Sequence, residues 1–206
     1  MMTRRFLTLA GTAAAFALAP GLTATGASAD GWSNPDAIVS EVESYLQGIR
    51  SLRATFIQQT DRGGYAEGEF YLDRPGRMRI EYEDAPDLII ANGTFITYYD
   101  LELGQRSDQF LSSSLAGFIA REQISLSGDV TVRDVSTEFD VIRIDVVQTE
   151  EPSAGELSLV FDRDPIELKG WLVHDAQGVT TEITLEDLET DISLSSSLFQ
   201  TPERFR

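Results

Sequence analysis

Residues 68–82, G-E-F-Y-L-D-R-P-G-R-M-R-I-E-Y, constrain the fold of this chain more than any other stretch. Gly68, Phe70 and Leu72 alternate with Glu69, Tyr71 and Asp73, and Met78, Ile80 and Tyr82 alternate with Arg77, Arg79 and Glu81. A period of two with one apolar side is the mark of a strand lying on a core. Arg74-Pro75-Gly76 separates the two runs, and a proline with preset φ followed by a glycine suits a tight reversal. The spacing predicts a β-hairpin with one apolar and one charged face.

Similar segments surround it. Upstream, Leu52 to Gln58 alternates; downstream, Leu88 to Ala91 and Phe95 to Tyr99 flank Asn92-Gly93, a strong two-residue hairpin signal. Further strands are expected at 130–133, 139–146, 156–161, 166–174 and 179–185, giving about nine to eleven strands at even spacing, a pattern of all-β sheets and barrels. From Asp187 the chain is expected to be extended with a short helical turn. Two segments break the strand period. Asn34 and Pro35 read as cap and first residue of a helix carrying Ile38, Val42, Tyr45, Leu46 and Ile49 on one side, with Ser40, Glu41, Glu43, Ser44 and Gln47 on the other. Phe110, Leu111, Leu115, Phe118 and Ile119 predict a second helix over 108–121, weakened by Ser112, Ser113, Ser114 and Gly117. Such one-sided helices must dock on an apolar sheet face.

Before Asn34 the chain reads as an export signal: Met1 to Arg5 is basic, Phe6 to Pro20 apolar but shorter than the roughly 20 residues of a membrane span, and Ala27-Ser28-Ala29 a small-residue cleavage site. Arg4-Arg5 is compatible with either the general or the twin-arginine route. The expected organisation is a cleaved signal over 1–29 and one domain over 30–206. No cysteine is present to cross-link the chain, bind a metal or carry a lipid. The net charge of −18 argues against nucleic acid as a partner, which requires basic patches.

Catalytic constellations are scarce. His174 is the sole histidine, so any Ser-His-acid triad must use it and no His-rich metal site can be built. Its place at a strand end before a turn favours a surface role, and no carboxylate pair stands out among the 34 acids. No cofactor or metal is called for. Arg74 is the odd residue. It reads either as a solvated hairpin tip or as a latch whose five N–H groups hold the end carbonyls of an overlying helix, with Arg77 and Arg79 as competitors.

The ordered motifs A-T-F-I-Q-Q with Phe56 and Gln58, G-E-F-Y-L before Arg74-Pro75, I-I-A-N-G-T-F-I-T-Y-Y-D-L-E-L-G-Q and L-A-G-F-I-A-R resemble the LolA family of periplasmic lipoprotein carriers. Ile80 stands where many members have tryptophan. The resemblance implies a mainly β fold, an open, incomplete antiparallel β-barrel or curved sheet with a helical lid over a hydrophobic cavity. It implies a non-enzymatic chaperone, acting as a monomer, that takes lipoproteins from an inner-membrane ABC transporter, shields their acyl chains and delivers them to an outer-membrane acceptor. It assigns Arg74 as the lid latch needed for release. Phe56, Phe70, Leu72, Met78, Ile80, Tyr82, Ile90, Ile142 and Ile144 are then the expected cavity lining, and Val42, Leu46, Leu111, Leu115, Phe118 and Ile119 the lid. A carrier of another amphiphile such as a glycolipid, a lipoprotein-sensing regulator of the same fold, and a hydrolase remain as alternatives.

Overall fold

The computed structural model describes residues 34–113 and 116–205. The expected signal segment and Leu115 lie outside them. Helix α1 spans Pro35–Gly48 and begins as its sequence dictates: the Asn34 Oδ1 accepts from Asp36 N at 3.1 Å, with Pro35 in the first turn, where no N–H is needed. Replacing Asn34 by alanine should cost about 1 kcal/mol, read as a lower denaturation midpoint with an unchanged slope.

Eleven strands follow: β1 Ser51–Thr60, β2 Tyr65–Asp73, β3 Arg77–Tyr82, β4 Leu88–Asn92, β5 Phe95–Asp100, β6 Gln105–Phe110, β7 Val130–Glu138, β8 Val141–Gln148, β9 Gly155–Arg163, β10 Ile166–Asp175 and β11 Thr180–Thr190. They form one antiparallel sheet in the order β6-β5-β4-β3-β2-β1-β11-β10-β9-β8-β7. The end strands β6 and β7 are not paired with each other, so the barrel stays open. Nevertheless the sheet curls strongly. Phe70 on β2 and Trp171 on β10 have ring centroids 5.4 Å apart, although β1 and β11 lie between their strands, a separation of about 14 Å in a flat sheet.

Cross-strand partners share a face, so the register defines the inner side. Phe56 pairs with Gly68 and Gly68 with Tyr82; Phe70 pairs with Ile80 and Ile80 with Ile89; Leu72 pairs with Met78 and Met78 with Ala91. In the other half Ile144 is opposite Leu159, and Ile142 opposite Phe161. These inner residues, the apolar side of α1, and Phe118, Ile119, Ile124 and Leu126 form one buried cluster.

Three expectations need correction. The helix over 108–121 is absent: Asp108 to Phe110 end β6, and 3-10 turns follow at Leu111–Ser113 and Ala116–Ala120. The chain there doubles back so tightly that a Cβ on Gly117 would sit 2.4 Å from the Leu111 carbonyl oxygen, which gives the glycine its reason. Leu111, Phe118 and Ile119 are still buried, so the apolar spacing located the packing residues but misjudged the backbone. Phe139 does not begin a strand. It has φ 52° in the two-residue turn between β7 and β8 and is 95% exposed. Ile90 is buried, but on the outer face: its partners are Arg79 and Thr97, and Arg79 Nη1 donates to Leu198 O at 2.8 Å. The C-terminal tail covers that side, where Phe199 is also buried, so β4 is apolar on both faces.

Candidate functional site

The site is built where the β2–β3 turn meets the end of α1. A helix leaves its last four carbonyls without intrahelical donors, and α1 has no basic residue in its last turn. Arg74 supplies both donors and charge. Its Nη1 donates to Ile49 O at 2.8 Å and also to Leu46 O, while Nε donates to Ile119 O at 2.8 Å. One side chain therefore joins the hairpin to α1 and to the Ala116–Ala120 turn. Two backbone bonds support it, Arg74 N to Arg50 O at 2.8 Å and Gly76 N to Ala120 O at 2.7 Å.

Burial lowers the Arg74 guanidinium to about 10, with the nearby Tyr45 phenol opposing the shift. The group stays charged at neutral pH, and its charge is met by carbonyl dipoles instead of a carboxylate. Arg77 and Arg79 do not compete for this role. Arg77 pairs with Asp73 at 2.6 Å and lies over the Phe199 ring, and Arg79 pairs with Glu81 at 2.5 Å while holding the tail.

Beneath Arg74 the sheet, α1 and the β6–β7 connection are packed into each other. Of the expected lining, Phe56, Phe70, Leu72, Met78, Ile142 and Ile144 are at most 2% exposed, and Ile80 and Tyr82 pack against them partly buried. Val42 and Leu46 of α1 and Leu111, Phe118 and Ile119 of the connection fill the space between. The expected cavity is thus occupied by side chains of α1 and of the β6–β7 connection. Open space on this face includes a groove of about 280 Å³ lined by Met78, Ile80, Ile89, Ile96, Tyr98, Ser107 and Gln109, just below ordinary ligand-pocket sizes, and a hollow of about 550 Å³ lies beside the connection, with Pro75, Gly76, Thr94, Leu111 and Arg121 in its wall. A wetter hollow of about 360 Å³ adjoins the latch, with Gln47, Ile49, Arg74 and Glu122 in its wall.

Sequence reading missed Tyr45 as a fastening. Its ring meets Phe161 edge-on at 6.1 Å, and its hydroxyl accepts from Leu168 N at 2.9 Å, beside a register shift in the β9–β10 pairing. Burial pushes the phenol up, so it remains protonated at neutral pH. The i, i+4 spacing of Glu43 and Gln47 was visible, but their partners lie some 80 residues on. His174 bonds Thr180 through Nδ1 at 2.8 Å across the β10–β11 pair, which is a strand-pairing role. Among the described residues no helix is long and apolar enough to cross a membrane.

Residues 47–202 match the family described as "Outer membrane lipoprotein carrier protein LolA". The chain is similar to an outer-membrane lipoprotein carrier protein of Methylococcus capsulatus, 30% identical over 171 residues that cover 78% of this chain and 81% of that one. A protein of the same description from Alkalilimnicola ehrlichii is 30% identical over 174 residues, covering 78% of each chain. Among solved structures, a LolA superfamily protein from Nitrosomonas europaea superposes with a TM-score of 0.48 at 13% identity, covering 79% of this chain and 97% of that one. With the family match spanning most of its length, the chain belongs to the LolA family.

Proposed function

We propose that this protein is a non-catalytic periplasmic chaperone that accepts lipoproteins released from the inner membrane, shields their acyl chains against the inner face of the sheet and delivers them to the outer membrane. The carrying observation is the latch: Arg74 alone bonds two separate segments that cover an otherwise apolar face. Family membership supports the cargo class. The export signal read over residues 1–29 supplies the compartment, an inner-membrane ABC transporter the donor, and an outer-membrane receptor or bilayer the acceptor; the carrier works as a monomer.

The energetics fit an exchange. Moving an acyl chain out of water gains about 0.8 kcal/mol per CH₂, far more than a carrier can use, so the relevant reference is the bilayer, against which the apolar gain nearly cancels. What remains is the lid. Cargo must displace Val42, Leu46, Phe118 and Ile119 from the inner face, and their return, fastened by Arg74, favours release. Proteoliposomes holding that ABC transporter and a triacylated lipoprotein should, with ATP, release it to the mature protein as a soluble one-to-one complex seen by native mass spectrometry. Absence of any complex overturns the proposal, and a complex with a glycolipid alone replaces lipoproteins by another amphiphile.

Such a latch should ignore physiological pH. The Arg74 pKa is lowered in the folded state from its ordinary value to about 10, so below that value it is charged in both the folded and unfolded chain and its burial cost is constant; the cost is relieved only as pH rises through 10. Fluorescence of Trp171, buried against Phe70, in a Trp32→Phe background should therefore stay flat between pH 6 and 9. A midpoint in that window would assign closure to another group.

A further inference from the structure

Helix α1 grips the β6–β7 connection with its polar side as well as its apolar one. Glu43 and Gln47 stand one turn apart on the same side of the helix. Glu43 Oε1 accepts from Leu126 N at 2.5 Å and from Ser125 Oγ at 3.3 Å, and Gln47 Nε2 donates to Ile124 O at 3.0 Å. The stretch 121–129 has neither helix nor strand, so its backbone groups depend on outside partners, and α1 provides them. Ile124 and Leu126 point the other way, into the cluster that holds Ile38, Val42 and Leu46.

Backbone bonds to the sheet bracket this stretch. Gly76 N donates to Ala120 O at 2.7 Å at one end, and Thr149 N to Asp129 O at 2.9 Å at the other. Between those two anchors Ile124, Ser125 and Leu126 each bond to α1.

We infer that Glu43 and Gln47 are positioning residues that clip residues 121–128 to α1, so that these two parts of the lid move as one body, with 121–128 hinged at Ala120 and Asp129. Lifting the helix then uncovers the inner face beneath Ile124 and Leu126 in the same event. Without the clip, α1 would lift while Ile124 and Leu126 continued to plug the space. The consequence for cargo rests on the lid reading above; the coupling between the two segments does not.

Native-state hydrogen exchange of the whole chain in low denaturant tests it, following α1 amides and those of 121–128 other than Leu126, whose acceptor the variants alter. In the parent protein both sets should share one opening free energy and one denaturant slope. Glu43→Ala/Gln47→Ala removes three bonds and should split them, with 121–128 exchanging at least about tenfold faster than α1, the worth of one charge-assisted hydrogen bond by itself, while Glu43→Gln, which keeps an acceptor, should retain the common behaviour. A general loss of stability would accelerate both sets equally and leave them together. Separate isotherms in the parent, or sets that stay merged in the double variant, overturn the clip. An Arg74→Leu protein in which α1 exchange is unchanged would instead remove the latch, leaving the clip to be decided by the first comparison.

Discussion

Arg74→Leu is expected to load lipoprotein but deliver it about a hundredfold more slowly. Three hydrogen bonds from a charged donor disappear, leaving the Leu46, Ile49 and Ile119 carbonyls without that partner. Hydrogen bonds to charged groups contribute about 1.5–3 kcal/mol each. Relief of the buried charge, visible in the depressed guanidinium, offsets part of this. A net loss of about 3 kcal/mol from the closed state corresponds to roughly a hundredfold change in the closed-to-open ratio. The apolar inner face is untouched, so on the proposed function uptake should persist and the soluble complex accumulate. Arg74→Lys should fall between, because one ammonium cannot span the directions of Leu46, Ile49 and Ile119 as a planar fork does. A vesicle-to-vesicle transfer assay reads both variants, and delivery at the parent rate would show that the three bonds do not govern release.

The second large effect is on the sheet. A Cβ at Gly68 would lie 1.8 Å from the Glu81 carbonyl oxygen and 3.0 Å from a Phe56 ring carbon. The first neighbour is backbone of β3 and cannot swing away, so Gly68→Ala must push β2 and β3 apart. That also disturbs the edge-to-face contact of Phe56 and Tyr82, whose centroids are 5.5 Å apart. The expected cost is about 3 kcal/mol, the upper range for overpacking, and a fall in melting temperature of about 10 °C. A variant that melts with the parent would mean that the pairing of Gly68 with Tyr82 is looser than the register indicates.

These two residues also show what a single sequence discloses. Alternation around Arg74-Pro75-Gly76 fixed the faces of β2 and β3, and Asn34-Pro35 and Asn92-Gly93 marked a helix start and a turn, because each is a local rule written in adjacent residues. Edge strand β6, Gln105–Phe110, is exposed at all six positions and carries a single large apolar residue, so no period could reveal it. The run Leu88-Ile89-Ile90-Ala91 has no alternation, and only the tail lying over Ile90 explains why both its faces are apolar. The 3-10 turns arise from the close approach of Gly117 to Leu111, a tertiary demand that overrides helical spacing. Arg74 was legible as an unusual residue with donors to spare. Its acceptors, 25 to 45 positions away, were legible only in general terms, as helix-end carbonyls. That α1 and the β6–β7 connection fill the hollow of the sheet depends on packing, which no pattern of apolar residues states.

Paramagnetic relaxation from a triacylated lipopeptide bearing a nitroxide on one acyl chain, read at methyl groups of the mature protein, tests most directly whether acyl chains take the lid's place on the inner face. Methyls of Leu72, Met78, Ile80, Ile142 and Ile144 should broaden strongly, those of Val42 and Leu46 should shift as α1 leaves, and Ile90, on the outer face under the tail, should be unaffected. Broadening at Ile90 or at the exposed Val141 beside the β7–β8 turn, with Ile142 and Ile144 unchanged, would contradict it.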